Sequence, residues 1–476
     1  MATSGRRPLF FRHAEQLLTL AGPPGPRRGA DLGKLGIIPR GGLLTEGDAI
    51  LRVGPARLLE RQALRLRAEA IDCSGRVIMP GFVDSHTHLI FAASRVGEYE
   101  QRLQGKTYEE IARTGGGIQS SARKLRHTSP ISLIRQAQAF LVQMAAYGTT
   151  TVEVKSGYGL ETTQELKSLH IIRALQAKTP LEMVPTLLAA HALPDSFRDR
   201  PRQYLDEIVK RLIPLAAGAA VSTDDMADTP FAAGPDFVPS SGVPGPTPYP
   251  ALNRIAGHAP GPAPRSIDHA PSDRLAEFID CFCDRGAFGV EDCRRLMEAG
   301  KQFGLIPRLH AEQLTHTGGT RLGIECGAAS VDHLDQVTEA DIRELARSGV
   351  VATLLPGANF HLGLHHYPPA RKLIDAGAAV ALATDFNPGT SPTLNMQFIL
   401  SLACTQMRMM PAEAIVATTV NGAWALRRAD RLGSLEAGKQ ADIIVLDVPD
   451  YREIPYYFAV NHCVTTVKQG DIIYPR

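Results

Sequence analysis

Eight apolar, β-rich runs separated by helical patterns constrain this chain more than any other feature of its sequence. The runs begin near Phe82, Thr149, Leu181, Phe278, Leu305, Ala328, Val350 and Ala378. Between most of them lies an amphipathic segment, such as residues 338–347 or 367–375. Eight β/α repeats over roughly 250–350 residues are the expectation for a TIM-like (β/α)8 barrel, an α/β fold that carries its chemistry at the C-terminal ends of the strands. Polar residues stand at those ends here: His86 and His88, Lys155, His191, Asp284, His310, His333, Asn359 and Asp385.

The first run ends in Phe82-Val83-Asp84-Ser85-His86-Thr87-His88. In an extended chain, side chains at i and i+2 point the same way, roughly 6.6 Å apart along the backbone. Two imidazoles so placed can converge on one metal ion. His310 closes the fifth run and Asp385 the eighth, so three imidazoles and one carboxylate meet at one barrel mouth. That donor set suits zinc and also accepts iron.

Composition narrows the function classes. A net charge of +2 over 476 residues, with no Lys/Arg run, argues against a nucleic-acid partner. The Pro8-Leu9-Phe10-Phe11 run is cut by Arg12, His13 and Glu15, too short for a membrane span and unlike a signal peptide. Seven cysteines without Cys-x-x-Cys spacing point to reduced thiols and a cytoplasmic location. Cys281 and Cys283 read as small buried strand residues.

Residues 1–79 and 425–476 carry short alternating runs, including Ala49-Ile-Leu-Arg-Val and Ala441-Asp-Ile-Ile-Val-Leu. Both ends are expected to contribute strands to one small β-sandwich domain beside a barrel spanning 80–424. Residues 222–272 are rich in Pro, Gly and Ser and poor in large aliphatics, the composition of a flexible insertion. His258 and His269 within it are read as non-functional.

On these motifs the chain resembles the amidohydrolase superfamily, whose first-strand His-x-His, fifth-strand His and eighth-strand Asp match His86, His88, His310 and Asp385. The likeness is stronger to the branch that opens an imidazolone ring in histidine degradation. It rests on Pro80-Gly-Phe-Val-Asp-Ser-His-Thr-His-Leu-Ile-Phe-Ala, Gly115-Gly-Gly-Ile, Glu153-Val-Lys-Ser-Gly-Tyr-Gly-Leu, Asp332-His-Leu and Ala383-Thr-Asp-Phe-Asn-Pro-Gly. Gly433-Ser-Leu-Glu-Ala-Gly-Lys-Gln-Ala-Asp is shared more widely across amidohydrolases. Two-metal members commonly bridge their ions with a carboxylated lysine on the fourth strand. The fourth run here, Phe278-Ile-Asp-Cys-Phe-Cys-Asp, has no lysine, and Lys155 belongs to the second. One metal ion, zinc or iron, is therefore expected.

The resemblance implies hydrolytic opening of 4-imidazolone-5-propanoate to N-formimidoyl-L-glutamate. It assigns Asp385 a double role, metal ligand and proton carrier, and has His333 orient water or polarise the carbonyl. Arg95 would clamp the propionate, with Tyr108, Tyr158 and His191 lining the pocket and Asn387, Gly389 and Thr390 meeting the glutamate-like end. Gln313 stands where many ring deaminases of the superfamily carry a catalytic Glu. Gln cannot act as a base, so it is read as a ring-binding residue and counts against a nucleobase deaminase. A non-catalytic, metal-stabilised scaffold is the second alternative. A small-molecule substrate and a homodimer follow from the resemblance alone.

Overall fold

A computed structural model describes residues 6–219 and 274–475, apart from the side chains of Tyr108, Glu109 and Ala112. The Pro-rich insertion expected at 222–272, with His258 and His269, lies outside the described residues. Eight parallel strands form the barrel sheet in sequence order: β1 (Phe82–Asp84), β2 (Thr149–Lys155), β3 (Glu182–Ala190), β4 (Phe278–Cys283), β5 (Ile306–Ala311), β6 (Ser330–His333), β7 (Val351–Leu354) and β8 (Ala379–Leu382). Every residue of β2 is buried, as expected where helices cover one side of a strand and the barrel interior the other. Val152 and Val154 pack outward into the main core, while Glu153 and Lys155 share the opposite face.

The ladder runs from β1 to β8, and the seam between those two is closed just beyond the strands. Thr87 bridges Phe386 in parallel, Asp385 N–H donates to His86 O at 3.0 Å, and His88 N–H to Phe386 O at 2.9 Å. Asp84 reinforces the seam by accepting from Thr384 N–H at 3.0 Å and Thr384 Oγ1 at 2.6 Å. Two expected boundaries shift. The helix expected from residue 367 begins only at Ala370, because a proline ring disfavours helical backbone at the residue before it, here Tyr367 and Pro368. Asn359 lies on the helix Pro356–His361, past the end of β7.

Both chain ends enter a second eight-stranded sheet. Its strand Val77–Pro80, from the N-terminal part, pairs antiparallel with Ile443–Leu446, from the C-terminal part. The layers of the expected sandwich are thus parts of one connected sheet. Alternation divides its side chains. Ile78, Ile443 and Val445 join a core of their own with Phe11, Leu17 and Leu43, while Val77, Met79, Ile444 and Leu446 turn into the barrel's core. The seven cysteines are all unpaired, and Cys281 and Cys283 are buried on β4. Among the described residues no helix is long and apolar enough to cross a membrane.

A charge cluster fastens the small sheet to the N-terminal rim of the barrel. Glu182, first residue of β3, pairs with Arg428 at 3.0 Å and Lys468 at 3.3 Å, and also with Arg431. Lys468 in turn holds Asp442 at 2.7 Å. Burial alone would raise the Glu182 carboxyl, but Lys468, Arg431 and Arg428 overcome it and pull the pKa from 4.5 down to about 2. At about 1.36 kcal/mol per pH unit, that displacement stabilises the fold by about 3 kcal/mol. The contribution is complete above about pH 4.5 and fades as pH falls toward 2. Glu182→Gln should therefore lower stability by about 3 kcal/mol at pH 7, read from urea midpoints. Its deficit against the unchanged protein should shrink as pH drops through that window.

Candidate metal centre and active site

The C-terminal ends of β1, β5, β6 and β8 bring His86, His88, His310, His333 and Asp385 to one buried point. Their ring centroids lie close: His86–His310 at 4.5 Å, His86–His88 at 5.3 Å, His310–His333 at 5.2 Å. One nitrogen from each of His86, His88 and His310 falls within 4.8 Å of the others, as do donor atoms of His86, His333 and Asp385. Asp385 Oδ1 is 3.6 Å from His86 Nε2 and 3.5 Å from His88 Nε2. Two ligands bonded at about 2.1 Å to a tetrahedral ion stand about 3.4 Å apart, so these spacings suit a shared ion.

The chemistry of the donors agrees with the spacing. His86 Nδ1 donates to Asp332 Oδ2 at 2.7 Å, which leaves the Nε2 lone pair facing inward. His86 Nε2 and His310 Nε2 are buried with no hydrogen-bond partner, an arrangement that costs free energy unless something else binds there. Burial, then nearby Lys155 and the neighbouring imidazoles, holds His86 well below the usual imidazole range. His88 and His333 are lowered in the same way, by burial first and then by neighbouring imidazoles, so all three rings are neutral and able to ligate. Burial pushes the Asp385 carboxyl up, and a cation would offset that cost. The donor set fits one divalent metal ion.

Behind the histidines lies a buried charge network. Lys155 Nζ is 2.7 Å from both Glu153 Oε1 and Asp280 Oδ2. Arg308 reaches Asp332 at 3.1 Å and donates to Ser85 O at 2.7 Å. Asp280 takes the backbone N–H of His310 at 3.2 Å, and its Oδ2 lies 3.0 Å from His310 Nδ1. Burial would raise Asp280, but His310 and Lys155 outweigh it and hold the carboxylate ionised.

Sequence alone assigns none of these five charged residues this role. A detectable signal was present nonetheless. Arg308 stands two residues before His310, and Glu153 two before Lys155, so the members of each pair share one face of a largely buried strand. A charge in such a strand must find a counter-charge.

The expected substrate residues fall into two groups. His191 stacks on His88 at 5.1 Å, with Nδ1 donating to Gly157 O at 2.9 Å, and burial lowers its pKa to about 4. Tyr158 is buried beside it, ring centroids 5.5 Å apart. Gln313 is half-buried after β5. Across the mouth, Arg95 is held by Glu98 at 2.8 Å through Nε and 2.5 Å through Nη2. A Cβ on Gly389 would collide with Arg95 Nη1, so the loop after β8 packs on the guanidinium.

Asn387 spends its polar atoms inside that loop. Its Nδ2 donates to Asp385 O at 2.7 Å and Thr390 Oγ1 at 2.9 Å, and its Oδ1 accepts from Gly389 and Thr390 N–H. Tyr108 lies on the helix Tyr108–Arg113, and its side chain is outside the described residues. Asp284 is absorbed by the loop after β5, accepting from Leu314 and Thr315. Asn359 donates to Asp335 at 2.5 Å and to His366 O at 2.9 Å.

The sequence model of the amidohydrolase family matches residues 69–136 and 123–474. An imidazolonepropionase of Chloroflexus aggregans is 40% identical over 98% of both chains, and one of Geobacillus kaustophilus is 40% identical over the same shares. A third, from Solibacter usitatus, is 39% identical, again over 98% of each. Among solved structures, guanine deaminase of E. coli superposes with a TM-score of 0.65 at 15% identity, covering 98% of this chain and 99% of that one. Zinc-complexed atrazine chlorohydrolase of Arthrobacter aurescens gives 0.64 at 17%, covering 98% and 95%. At that identity these two establish the shared barrel fold. The near-full-length likeness to the first three goes further: the chain belongs to the amidohydrolase family and, within it, to the imidazolonepropionases.

Proposed function

We propose that the chain hydrolyses 4-imidazolone-5-propanoate, opening its ring to N-formimidoyl-L-glutamate in histidine degradation. The observation that carries this reading is the 40% identity to named imidazolonepropionases over 98% of the chain. The site chemistry agrees with it. His86, His88, His310 and Asp385 would hold one zinc or iron ion. When bound, the ion supplies Lewis-acid chemistry, polarising a carbonyl and bringing the pKa of water from 15.7 to about 7.

The remaining roles fall to the side chains. Asp385 accepts the proton of the attacking water as its oxygen bonds to the ring carbonyl carbon. It then delivers that proton to the ring nitrogen as the C–N bond breaks. His333, neutral in its buried setting, orients the water or polarises the carbonyl. Gln313 binds the ring and, lacking a titratable group, leaves proton transfer to Asp385 and His333. Tyr108, Tyr158 and His191 wall the ring. Arg95 binds the propionate, a charge-assisted contact of about 1.5–3 kcal/mol. Asn387, Gly389 and Thr390 shape the loop that faces the glutamate-like end.

The same reading makes the protein a cytoplasmic homodimer acting on a small molecule, with neither nucleic acid nor membrane as partner. It divides the chain into residues 1–79 and 425–476 for the small domain and 80–424 for the barrel, with 222–272 inserted.

Two measurements test the reaction. Metal-loaded protein should abolish the ultraviolet absorbance of freshly generated 4-imidazolone-5-propanoate and yield N-formimidoyl-L-glutamate. Asp385→Ala should lower kcat by at least about 10³-fold, since it removes the proton carrier and one ligand. Release of ammonia from nucleobases, with the imidazolone left untouched, would instead identify a deaminase. Gly389→Ala should keep the fold, because the added methyl displaces only the tip of Arg95. Its KM should rise about 10- to 100-fold, the loss of one charge-assisted contact, with a smaller change in kcat.

A further inference from the structure

Lys155 stands at the end of β2, and the reaction proposed above gives it nothing to do. Its ammonium is fully buried and within 2.7 Å of two carboxylates, Glu153 and Asp280, and 3.9 Å of a third, Asp332. Each of those carboxylates touches the ring or the segment of one of the residues that would hold the metal. Asp280 receives Lys155 on Oδ2, the oxygen that lies 3.0 Å from His310 Nδ1, while its Oδ1 accepts the His310 backbone N–H. Glu153 Oε2 accepts the N–H of Thr87, the residue between His86 and His88. The Lys155 backbone N–H donates to Thr87 O at 3.0 Å. Asp332 Oδ2 accepts from both His86 Nδ1 and Arg308 Nη2, and its Oδ1 accepts from Ser330 Oγ.

We propose that Lys155 is a positioning residue of the metal centre, fixing Asp280 and Glu153 so that His310 and the His86–His88 segment present their free nitrogens to one point. Three carboxylates crowd this interior against two cations. Without Lys155, Glu153 and Asp280 would lose the ammonium that bridges them, and like charges in a buried site drive apart. That would shift the Asp280 carboxylate, which takes the His310 backbone N–H and lies 3.0 Å from its ring nitrogen Nδ1. The role rests on the metal-dependent reading above, yet its test does not depend on the substrate.

The experiment uses the full-length protein stripped of metal, with zinc ion as the probe and a chromophoric chelator as competitor. Lys155→Met keeps the length of the side chain and removes its charge and donors. Its zinc dissociation constant should rise about 10- to 100-fold, with KM for the imidazolone little changed and kcat reduced even at saturating zinc. Asp280→Asn, which leaves the Lys155–Glu153 pair in place, should weaken zinc binding to a similar extent. It also decides the matter if Lys155→Met does not fold. Zinc affinity within about twofold of the unchanged protein, in Lys155→Met or in Asp280→Asn where that variant decides, overturns the proposal. A lowered melting temperature with unchanged zinc affinity does the same, because it marks a structural role alone. Should the unchanged protein fail to turn over the imidazolone, the zinc arm still reads the positioning role, so the two failures are separable.

Discussion

The seam where the barrel closes is the contact on which the centre depends. Two backbone hydrogen bonds, Asp385 N–H to His86 O and His88 N–H to Phe386 O, join segments about three hundred residues apart in sequence. They carry the first pair of imidazoles and the carboxylate on opposite sides of one joint. Asp84 locks the joint by accepting from Thr384 twice, one residue before Asp385. A barrel that failed to close here would retain its helices and most of its core and lose the donor set.

Strain collects where these ends turn. Glu312 (φ 55°), His333 (φ 81°), Leu334 (φ 65°) and Asp385 (φ 53°) all adopt left-handed backbone without being glycine. Each such residue costs of order 1–3 kcal/mol and persists only where surrounding contacts fix it. Those contacts are visible. The Glu312 carboxylate accepts N–H groups from Thr317, Gly318 and Thr320, and Asn387 ties down the loop after Asp385. The strand ends are thereby held in the geometry that aims side chains inward, with little left to reorganise when a ligand arrives.

Much of this was legible in the chain itself. The eight runs correspond to the eight barrel strands because strands buried on both faces leave near-continuous apolar sequence. The two histidines of His86-Thr87-His88 converge because of the two-residue period of extended backbone. Charges inside the strands were harder to read. Asp280, Arg308 and Asp332 take their charged partners from other strands, so no local spacing reveals those pairs; Glu153 alone of the four has a charged partner two residues along its own strand. Asn387 and Asp284 illustrate the opposite difficulty. Polar residues at strand ends look alike in sequence whether they face a substrate or hold their own loop, and only the hydrogen-bond partners separate the two.

The account joins one metal ion to one hydrolysis, and a metal titration tests that joint claim most directly. Metal-free protein would be supplied with zinc in steps, and turnover of 4-imidazolone-5-propanoate followed at each step. Activity should be absent at the start, rise in proportion to added zinc and level off at one ion per chain. Full turnover without metal, or a plateau reached only at two ions per chain, would contradict it.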